Sequence, residues 1–449
     1  MTTAVLIAAG FLLFGVWLRW QFKWLSAIHA PAALIAGLIA LLAAQLWSRD
    51  GSNTAALLFN DALRQWESWR SPLIPIIFAG MLLVKPDSKP AGQLLATTQQ
   101  AIGAWILILG QLCVGLLATW LLLSPAWGVP IHFGQLLEVS WAGGFGSSAA
   151  WGEVHRSRGS YEGAADLAAF LTASGLLYGV LSGLVIVNIG IRRRWLTTSH
   201  PARAAQATAA ESSSIRSPIR SIDPLMFQML LLAAAFGVGL GLQSLISLAV
   251  KTLPAGSPIR GVGGDLPLFV FTLLGGWLVR KCMSAVRCDA LIENETINRL
   301  TGVALELLVF VAIATLKVAV IRDNVTAACV LMAIGAAWVW FNVVWISPRI
   351  LPRRCWFELA LMNHGFATAT TAQGMMLLRM VDPELKTDAA RVYAQAAPLT
   401  AMFIGGGLLT YALPEVLIRF HPIYVIAPTA IAALVLFSIG IRLRKRAYS

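Results

Sequence analysis

The chain has 449 residues, of which 58% are hydrophobic and only 12% are charged, and its formal net charge is +13. With a mean hydropathy of +0.73, this composition excludes an ordinary soluble protein and predicts an all-α polytopic membrane protein. The Lys and Arg residues lie in short loops between apolar runs, which is typical of membrane orientation and argues against a nucleic-acid partner. The five cysteines form no CxxC or Cys/His pattern, so neither a zinc site nor a disulfide framework is indicated.

Apolar runs in the first half predict five membrane crossings, since about 17–25 residues are needed to cross ~30 Å of hydrocarbon. The first run has no basic segment before it, so it predicts a membrane helix and not a signal peptide. In the last of these runs, Gly175, Gly179 and Gly183 recur at every fourth position and predict close packing against a neighbouring helix. The five runs lie at residues 4–18, 32–46, 72–84, 102–123 and 165–189, with a polar connection of mixed charge at residues 48–70.

The second half repeats the order of the first. Residues 192–224 are basic and rich in Ala and Ser, which predicts a cytoplasmic linker between a first repeat at 1–191 and a second at 225–413. Repeated order around a central linker is typical of transporters with inverted repeats. An extra C-terminal membrane helix at 423–441 and a basic tail make up a last part at 414–449. The crossings of the second repeat are predicted at residues 225–250, 266–279, 303–321, 327–346 and 396–413.

Two stretches of small residues interrupt this pattern at equivalent places in the two halves. Residues 139–151 read VSWAGGFGSSAAW, and residues 363–376 read NHGFATATTAQGMM. Glycine and threonine are poorer helix formers than leucine or alanine, so both stretches predict broken membrane helices. Non-helical backbone is tolerated at membrane depth where it is buried in protein or lines a cavity, which makes both stretches candidate parts of a site.

Basic residues indicate how the chain is oriented. If each broken stretch enters the membrane and returns to the same side, about 11 full crossings remain, with the N-terminus outside and the C-terminus in the cytoplasm. The linker, the loop at residues 280–287 and the basic tail then lie inside, as the positive-inside rule requires. The sequence therefore predicts an integral protein of the bacterial inner membrane whose two re-entrant segments enter from opposite faces.

The broken stretches carry groups that bind ions and polar solutes. Free N–H groups at a helix break face an anion, free carbonyl groups face a cation, and hydroxyl groups bind either. Glycine also permits close approach of the backbone. This combination indicates a small anionic solute carried across a lipid bilayer with Na⁺ as the coupling ion, and no further cofactor. The candidate binding residues are Gly143, Gly144, Gly146, Ser147, Ser148, Gly365, Thr368, Thr370 and Thr371.

The same stretches resemble the signatures of a known family. GGFGSSAAW, followed by the glycine-striped ASGLLYGVLSG, is similar to the GGHGT-containing signature of the bacterial sodium:glutamate symporters. HGFATATTAQGMM resembles that family's later GFGxGATxTAxxNM signature. The similarity extends over about residues 31–413. Gly143, Gly144, Gly146 and Ser147 match the first signature, and Gly365, Thr368, Thr370 and Thr371 match the second.

The resemblance implies a homodimeric, elevator-type carrier of glutamate or a related carboxylate, in which two re-entrant tips meet at the substrate. The sequence does not fix the Na⁺ ligands, and Ser147, Thr370 and backbone carbonyl groups of the tips are the candidates. Three positions depart from the family pattern: an Asn is replaced near Met375, and two others lose a titratable group. Phe145 stands where the first signature has His, and the acidic residue expected in the last matched span is absent, since residues 403–409 read FIGGGLL.

Few ionisable residues lie in or beside the apolar runs. Glu306 is explained equally well as a functional carboxylate and as a helix-end group near the inner surface. Glu138 is assigned to the loop that follows the fourth crossing, and Asp166 to the cap of the helix that it begins. Lys317 is assigned to the outer end of its span, where its amine reaches the membrane surface.

Two alternatives to a symporter remain open. A cation/proton antiporter also has inverted repeats and broken helices, but it normally places a carboxylate at the crossing point, and neither broken stretch contains one. A non-transporting membrane receptor derived from a carrier would account for the two lost titratable groups. An enzyme is not expected, because no nucleophile, base and orienting group occur together.

Overall fold

The computed structural model describes residues 2–22, 25, 31–47, 54–85, 94–196, 223–252, 267–368, 370–401 and 403–446. These residues are almost entirely helical, and none of them forms a β-strand. The basic linker predicted between the repeats lies outside the described residues, apart from its two ends. The helices of the first half are α1 (Thr2–Gln21), α2 (Ala32–Trp47), α3 (Thr54–Leu83), α4 (Leu94–Ala118), α5 (Gly144–Arg158) and α6 (Ala164–Arg192).

Within the described residues, the second half supplies nine further helices of eight residues or more. Those with enough length and apolar character to cross a membrane include α7 to α10 and the final helix, α15. They are α7 (Pro224–Thr252), α8 (Leu268–Ala285), α9 (Asn294–Ala314), α10 (Val318–Phe341), α11 (Trp356–Phe366), α12 (Thr371–Val381), α13 (Ala389–Ala396), α14 (Leu408–Arg419) and α15 (Ile423–Arg446).

Among the described residues, eight helical segments are long and apolar enough to span a membrane. They contain α1, α4, α6, α7, α8, α9, α10 and α15, and α2 is a shorter apolar helix. The prediction of an all-α polytopic membrane protein is therefore confirmed. The total of eleven crossings, the re-entrant entry of the broken stretches and the orientation of the termini stay predictions.

The polar connection predicted at residues 48–70 is wrong over most of its length, because α3 begins at Thr54 and runs through Leu83. Its first half has charged residues on one side and a buried apolar stripe on the other. Phe59 and Trp66 belong to this stripe, and the Trp66 indole donates a hydrogen bond to the Ala4 carbonyl over 3.0 Å. Buried apolar residues recur in this segment at spacings of three and four, which is typical of a helix. The prediction of a connection rested on the mixed charge of the segment and overlooked this spacing.

Equivalent helices of the two halves lie against each other in opposite directions. Along α4, Gly103 meets Ile350 and Leu351, which lie about ten residues beyond the end of α10, whereas Gly110, further along α4, meets Trp338 within α10. The third helices of the two halves, α3 and α9, are also antiparallel. Arg70 of α3 donates to the Ala312 carbonyl, and Gly80, further along α3, contacts Thr301, which comes earlier in α9. Antiparallel contact between equivalent helices is the relation that a two-fold axis in the membrane plane produces.

A local feature also recurs in both halves. At its C-terminal end, α4 passes into a π-helical turn, Thr119–Leu123, followed by Ser124–Trp127. At the same place, α10 passes into the π-helical turn Asn342–Ile346, followed by Ser347–Ile350. Both extensions begin with Ser-Pro, and each leads into one of the two broken stretches. These common features support the predicted pair of repeats.

The helices pack as two groups. In one group, α1, α2, α3, α7, α8 and α9 contact one another, and Gly276 of α8 lies directly on the Ala79 carbonyl of α3. In the other, α4 is surrounded by α10, α13, α15 and the first broken stretch. Gly440 of α15 packs against Ile350 and Ile102, so the additional C-terminal helix covers this second group. The groups meet where α3 and α9 contact α5 and α6.

The predicted orientation can be tested with single cysteines in a background that lacks the five native ones. Ser157→Cys, at the end of α5, is expected to react with a membrane-impermeant thiol reagent added to intact cells. Arg354→Cys, before α11, is expected to react only after permeabilisation. Labelling of both positions from the same side would contradict opposite entry of the two broken stretches.

Candidate functional site

The first broken stretch forms a helical hairpin. The chain enters through a 3₁₀ turn, Ile131–Gln135, and a π-helical segment, Leu137–Ala142, and returns as α5. The Trp151 indole in α5 donates a hydrogen bond to Gln135 Oε1 over 2.9 Å, and the rings of His132 and His155 lie 4.4 Å apart. At the turn, Gly144 has a φ of +70°, which favours glycine.

The second broken stretch is a hairpin of α11 and α12. Each arm has 11 residues and is about 16 Å long, roughly half of the ~30 Å hydrocarbon thickness. The arms touch through their backbones, because a Cβ on Gly365 would lie 2.1 Å from the amide nitrogen of Gly374. Thr370 caps α12, since its hydroxyl accepts a hydrogen bond from the Gln373 N–H over 3.2 Å.

Both hairpin tips meet at the glycine stripe of α6. A Cβ on Gly175 would lie 2.6 Å from the Thr368 carbonyl oxygen and 2.8 Å from the Trp141 indole nitrogen, so the two tips touch the same residue. A Cβ on Gly179 would lie 2.1 Å from Thr368 Oγ1, and Gly183 packs on Leu377. The prediction that this stripe provides close helix packing is confirmed, and the stripe brings the two distant signatures together.

A third broken element enters the same place. The sequence predicts one glycine-rich crossing at residues 396–413, but this run does not form one continuous helix. After α13 and the short turn Pro398–Ala401, the chain is interrupted before α14 begins at Leu408. At the interruption, Gly405 has a φ of +64° and Gly406 a φ of +95°. Left-handed backbone ends helical hydrogen bonding, so the hydrophobic run does not form a continuous helix.

This interruption contacts both tips. A Cβ on Gly406 would lie 1.9 Å from Ser147 Oγ and 3.6 Å from the Gly143 Cα, so backbone lies almost against backbone. A Cβ on Gly405 would lie 3.1 Å from the ring of Phe366 in the second hairpin. The candidate site is therefore built from three broken elements, whereas the sequence indicated two.

Glu138 is the site residue that the sequence interpretation misplaced. It lies inside the first hairpin, not in a loop, and only 2% of its surface is exposed. Its Oε1 accepts a hydrogen bond from the Gly405 N–H over 2.8 Å and another from the Thr410 hydroxyl over 2.6 Å. The statement that neither broken stretch has a carboxylate holds for residues 139–151 and 363–376, but the hairpins are longer: the first includes Glu138 and Glu153, and the second includes Glu358.

Glu138 also concerns one departure from the family pattern, the acidic residue that is missing from the last crossing. Glu138 brings a carboxylate to the Gly405 backbone from another part of the chain. The available sequence signal was a single acidic residue within an otherwise apolar run, FGQLLEVSWAGG. An ionisable group in that setting is a functional candidate.

The predicted residues of the first tip divide by role. Gly143 and Ser147 lie at the junction with Gly406, and Gly144 shapes the turn. A Cβ on Gly146 would make only an ordinary contact with Leu305 of α9, at 3.7 Å, so the space around this position does not require glycine. Ser148 faces α6, where its hydroxyl lies 2.6 Å from the Thr172 hydroxyl.

The predicted residues of the second tip also divide by role. Thr368 is buried, and its hydroxyl donates to the His364 carbonyl over 2.8 Å. Gly365 provides the contact between the arms, Thr370 is the helix cap, and Thr371 is exposed at the start of α12. Thr368 is thus the predicted residue of this tip that lies closest to the meeting point on α6.

Three helices begin at or beside this meeting point. They are α5 after Gly143, α12 after Thr370 and α14 after Gly407. A helix N-terminus carries unpaired N–H groups and about half a positive charge, which favours an anion. The backbone arrangement therefore suits a carboxylate, even though few basic side chains lie in the hairpins.

A cavity of about 450 Å³ lies between α3, α5 and α6, and its wall includes Phe145, Ser148 and Ala149 of the first hairpin. Its volume is in the range of small-molecule sites. Arg64 and Arg70 also line it. Arg64 is exposed and makes no ion pair or hydrogen bond with the described residues, whereas Arg70 donates to the Ala312 carbonyl over 3.2 Å.

The remaining ionisable candidates lie away from the tips. Asp166 does not cap its own helix, but accepts a hydrogen bond from the Lys317 N–H over 3.3 Å and lies 3.9 Å from Arg70. Lys317 is mostly exposed and faces Glu67 at 4.0 Å. Glu306 is exposed on α9, which favours its interpretation as a surface group.

The contact at Gly406 can be tested by Gly406→Ala, with Gly128→Ala as the matched control. Both glycines have positive φ, so each substitution is expected to cost about 1–3 kcal/mol of backbone strain. A Cβ at Gly128 meets open space, whereas one at Gly406 overlaps Ser147. Thermal unfolding should show the backbone strain in both variants and a further loss of stability in Gly406→Ala from the overlap, and only Gly406→Ala should lose solute uptake in proteoliposomes. Equal uptake by the two variants would contradict the proposed junction.

The comparison with protein families agrees with this geometry. The sequence model of the sodium/glutamate symporter family matches residues 1–373, which include the first hairpin and the second tip. The match ends before α14 and α15. No curated protein matches the chain in sequence. Because the family model covers most of the 449 residues, the chain belongs to the sodium/glutamate symporter family.

Proposed function

We propose that this protein is a secondary active transporter that carries a small anionic solute, glutamate or a related carboxylate, together with Na⁺. The observation that carries the proposal is the convergence of both hairpin tips and the interrupted last crossing on one buried place. Three helix N-termini there favour a carboxylate, and close glycine packing exposes backbone groups that side chains would otherwise cover. Family membership supports the same solute and ion.

We further propose an elevator-type mechanism in a homodimer of the bacterial inner membrane, with the N-terminus outside and the C-terminus in the cytoplasm. The two helix groups support relative movement, because they meet through α3 and α9 on one side and α5 and α6 on the other. The 450 Å³ cavity lies at this boundary. A boundary with a cavity resists sliding less than a closely packed core does.

A cation/proton antiporter is the second candidate, because Glu138 places a buried carboxylate in the first hairpin. An antiporter would exchange cations in response to a proton gradient without a carboxylate solute. The anion-favouring helix ends and the family match favour the symporter.

The proposed function predicts that purified protein in liposomes accumulates labelled glutamate when Na⁺ is higher outside than inside. Replacement of Na⁺ by choline is expected to reduce accumulation to the level of protein-free liposomes. Excess unlabelled aspartate or another dicarboxylate should compete if the site recognises the carboxylate. Absence of uptake for every acidic amino acid and dicarboxylate, in protein that remains folded, would contradict the symporter proposal.

The elevator movement predicts that a link between the two helix groups stops transport. Ser68→Cys on α3 and Ala149→Cys on α5 both line the cavity, so a thiol crosslinker that spans it should abolish uptake. The matched control is Ser68→Cys with Ser71→Cys, which lie on the same helix. Crosslinking within α3 should leave uptake unchanged, and undiminished uptake after crosslinking α3 to α5 would contradict the movement.

A further inference from the structure

We infer that Glu138 binds the coupling Na⁺ at the junction between the first hairpin and the interrupted last crossing. This inference rests on the proposed function, because a coupling ion presupposes a coupled solute. It assigns the ion to a residue outside the sequence signatures, which carry glycines and hydroxyls but no carboxylate.

The first argument is the cost of the buried charge. Glu138 is 2% exposed, and it forms no ion pair with any residue in the described part of the chain. An ionised carboxylate buried without a positive partner is strongly disfavoured, so buried charges are paired or bind a cation. Within a membrane, such a carboxylate commonly marks an ion path.

The second argument is the unequal use of the two carboxylate oxygens. Oε1 receives both the Gly405 N–H and the Thr410 hydroxyl. Oε2 is buried and accepts no hydrogen bond of good geometry from the described residues, although the Gln135 amide and the Gly406 N–H also lie close to the carboxylate. One oxygen is thus held in place, while the other keeps its lone pairs for a cation.

The third argument is the chemistry of the surroundings. The Thr410 hydroxyl contacts Glu138 directly, and Ser147 Oγ lies beside the neighbouring Gly406. Tyr411 is the titratable group that faces Glu138 from α14, and its buried hydroxyl lies beside Ser147. Oxygen atoms without a nearby basic nitrogen are the environment that a hard cation such as Na⁺ prefers.

Position explains how the ion would be coupled to the solute. An anionic solute that approaches the tips is repelled by the Glu138 carboxylate, and this repulsion is strong in a medium of low dielectric constant. Na⁺ at Oε2 cancels the repulsion, so each ligand increases the affinity for the other. The same ion joins the hairpin to α14, because Glu138 is already bonded to Gly405 and Thr410.

The test is Glu138→Gln, which keeps the shape and the hydrogen-bond acceptor but removes the charge. Glu306→Gln is the matched control, since it makes the same change on the exposed face of α9. In purified wild-type protein and in Glu306→Gln, Na⁺ is expected to raise the unfolding temperature relative to choline. Glu138→Gln is expected to lose this Na⁺-dependent rise. An equal rise in Glu138→Gln would overturn the assignment, and so would a wild-type response to protons alone.

Transport gives an independent readout. Glu138→Gln should lose Na⁺-driven accumulation of glutamate at least tenfold but retain exchange of labelled for unlabelled glutamate across the membrane. Wild-type accumulation with no loss in Glu138→Gln would overturn the inference and leave the proposed function intact. If the wild type transports no acidic solute, the proposed function fails, and the unfolding measurement still decides whether Na⁺ binds at Glu138.

Discussion

The structure depends on one constraint: interrupted backbone inside an apolar protein needs polar partners, because water does not reach it. At the last crossing, Glu138 and Thr410 fulfil this need for the N–H groups of Gly405 and Gly406. Gln135 extends the connection, since its amide donates to the Thr410 carbonyl over 2.6 Å. The first hairpin therefore stabilises the interruption, and the interruption in turn holds the hairpin.

The same connection defines which elements form a unit. At the tip, Glu138 joins the first hairpin to α14, and at the other end of α5, Arg158 forms an ion pair of 2.6 Å with Glu415 of α14. Both residues of this pair are largely buried, so water and salt screen it less than an exposed pair. Two attachments along α14 leave it little freedom to separate from the first hairpin, which suits elements that carry a solute together.

The sequence was sufficient for the class of fold and for two of the three elements at the site, for identifiable physical reasons. Long apolar runs directly indicate membrane helices, and glycines at every fourth position indicate a stripe along which another helix packs closely. Gly405 and Gly406 were harder, since glycines within an apolar run are also typical of an intact packed helix. Only the left-handed backbone at both positions distinguishes the two cases. The start of α3 was missed because its charged face outweighed the stripe around Trp66.

Glu138 shows why residue-by-residue transfer from a family pattern has a limit. The pattern places an acidic residue in the last crossing, where this chain has glycine, and its loss suggested a lost ion site. In three dimensions, however, a site needs a carboxylate at one location, and any neighbouring element can provide it. At the interrupted last crossing of this chain, the Gly405 N–H is bound by Glu138 of the first hairpin. The absence of an acidic residue from that crossing therefore does not exclude a carboxylate at the junction.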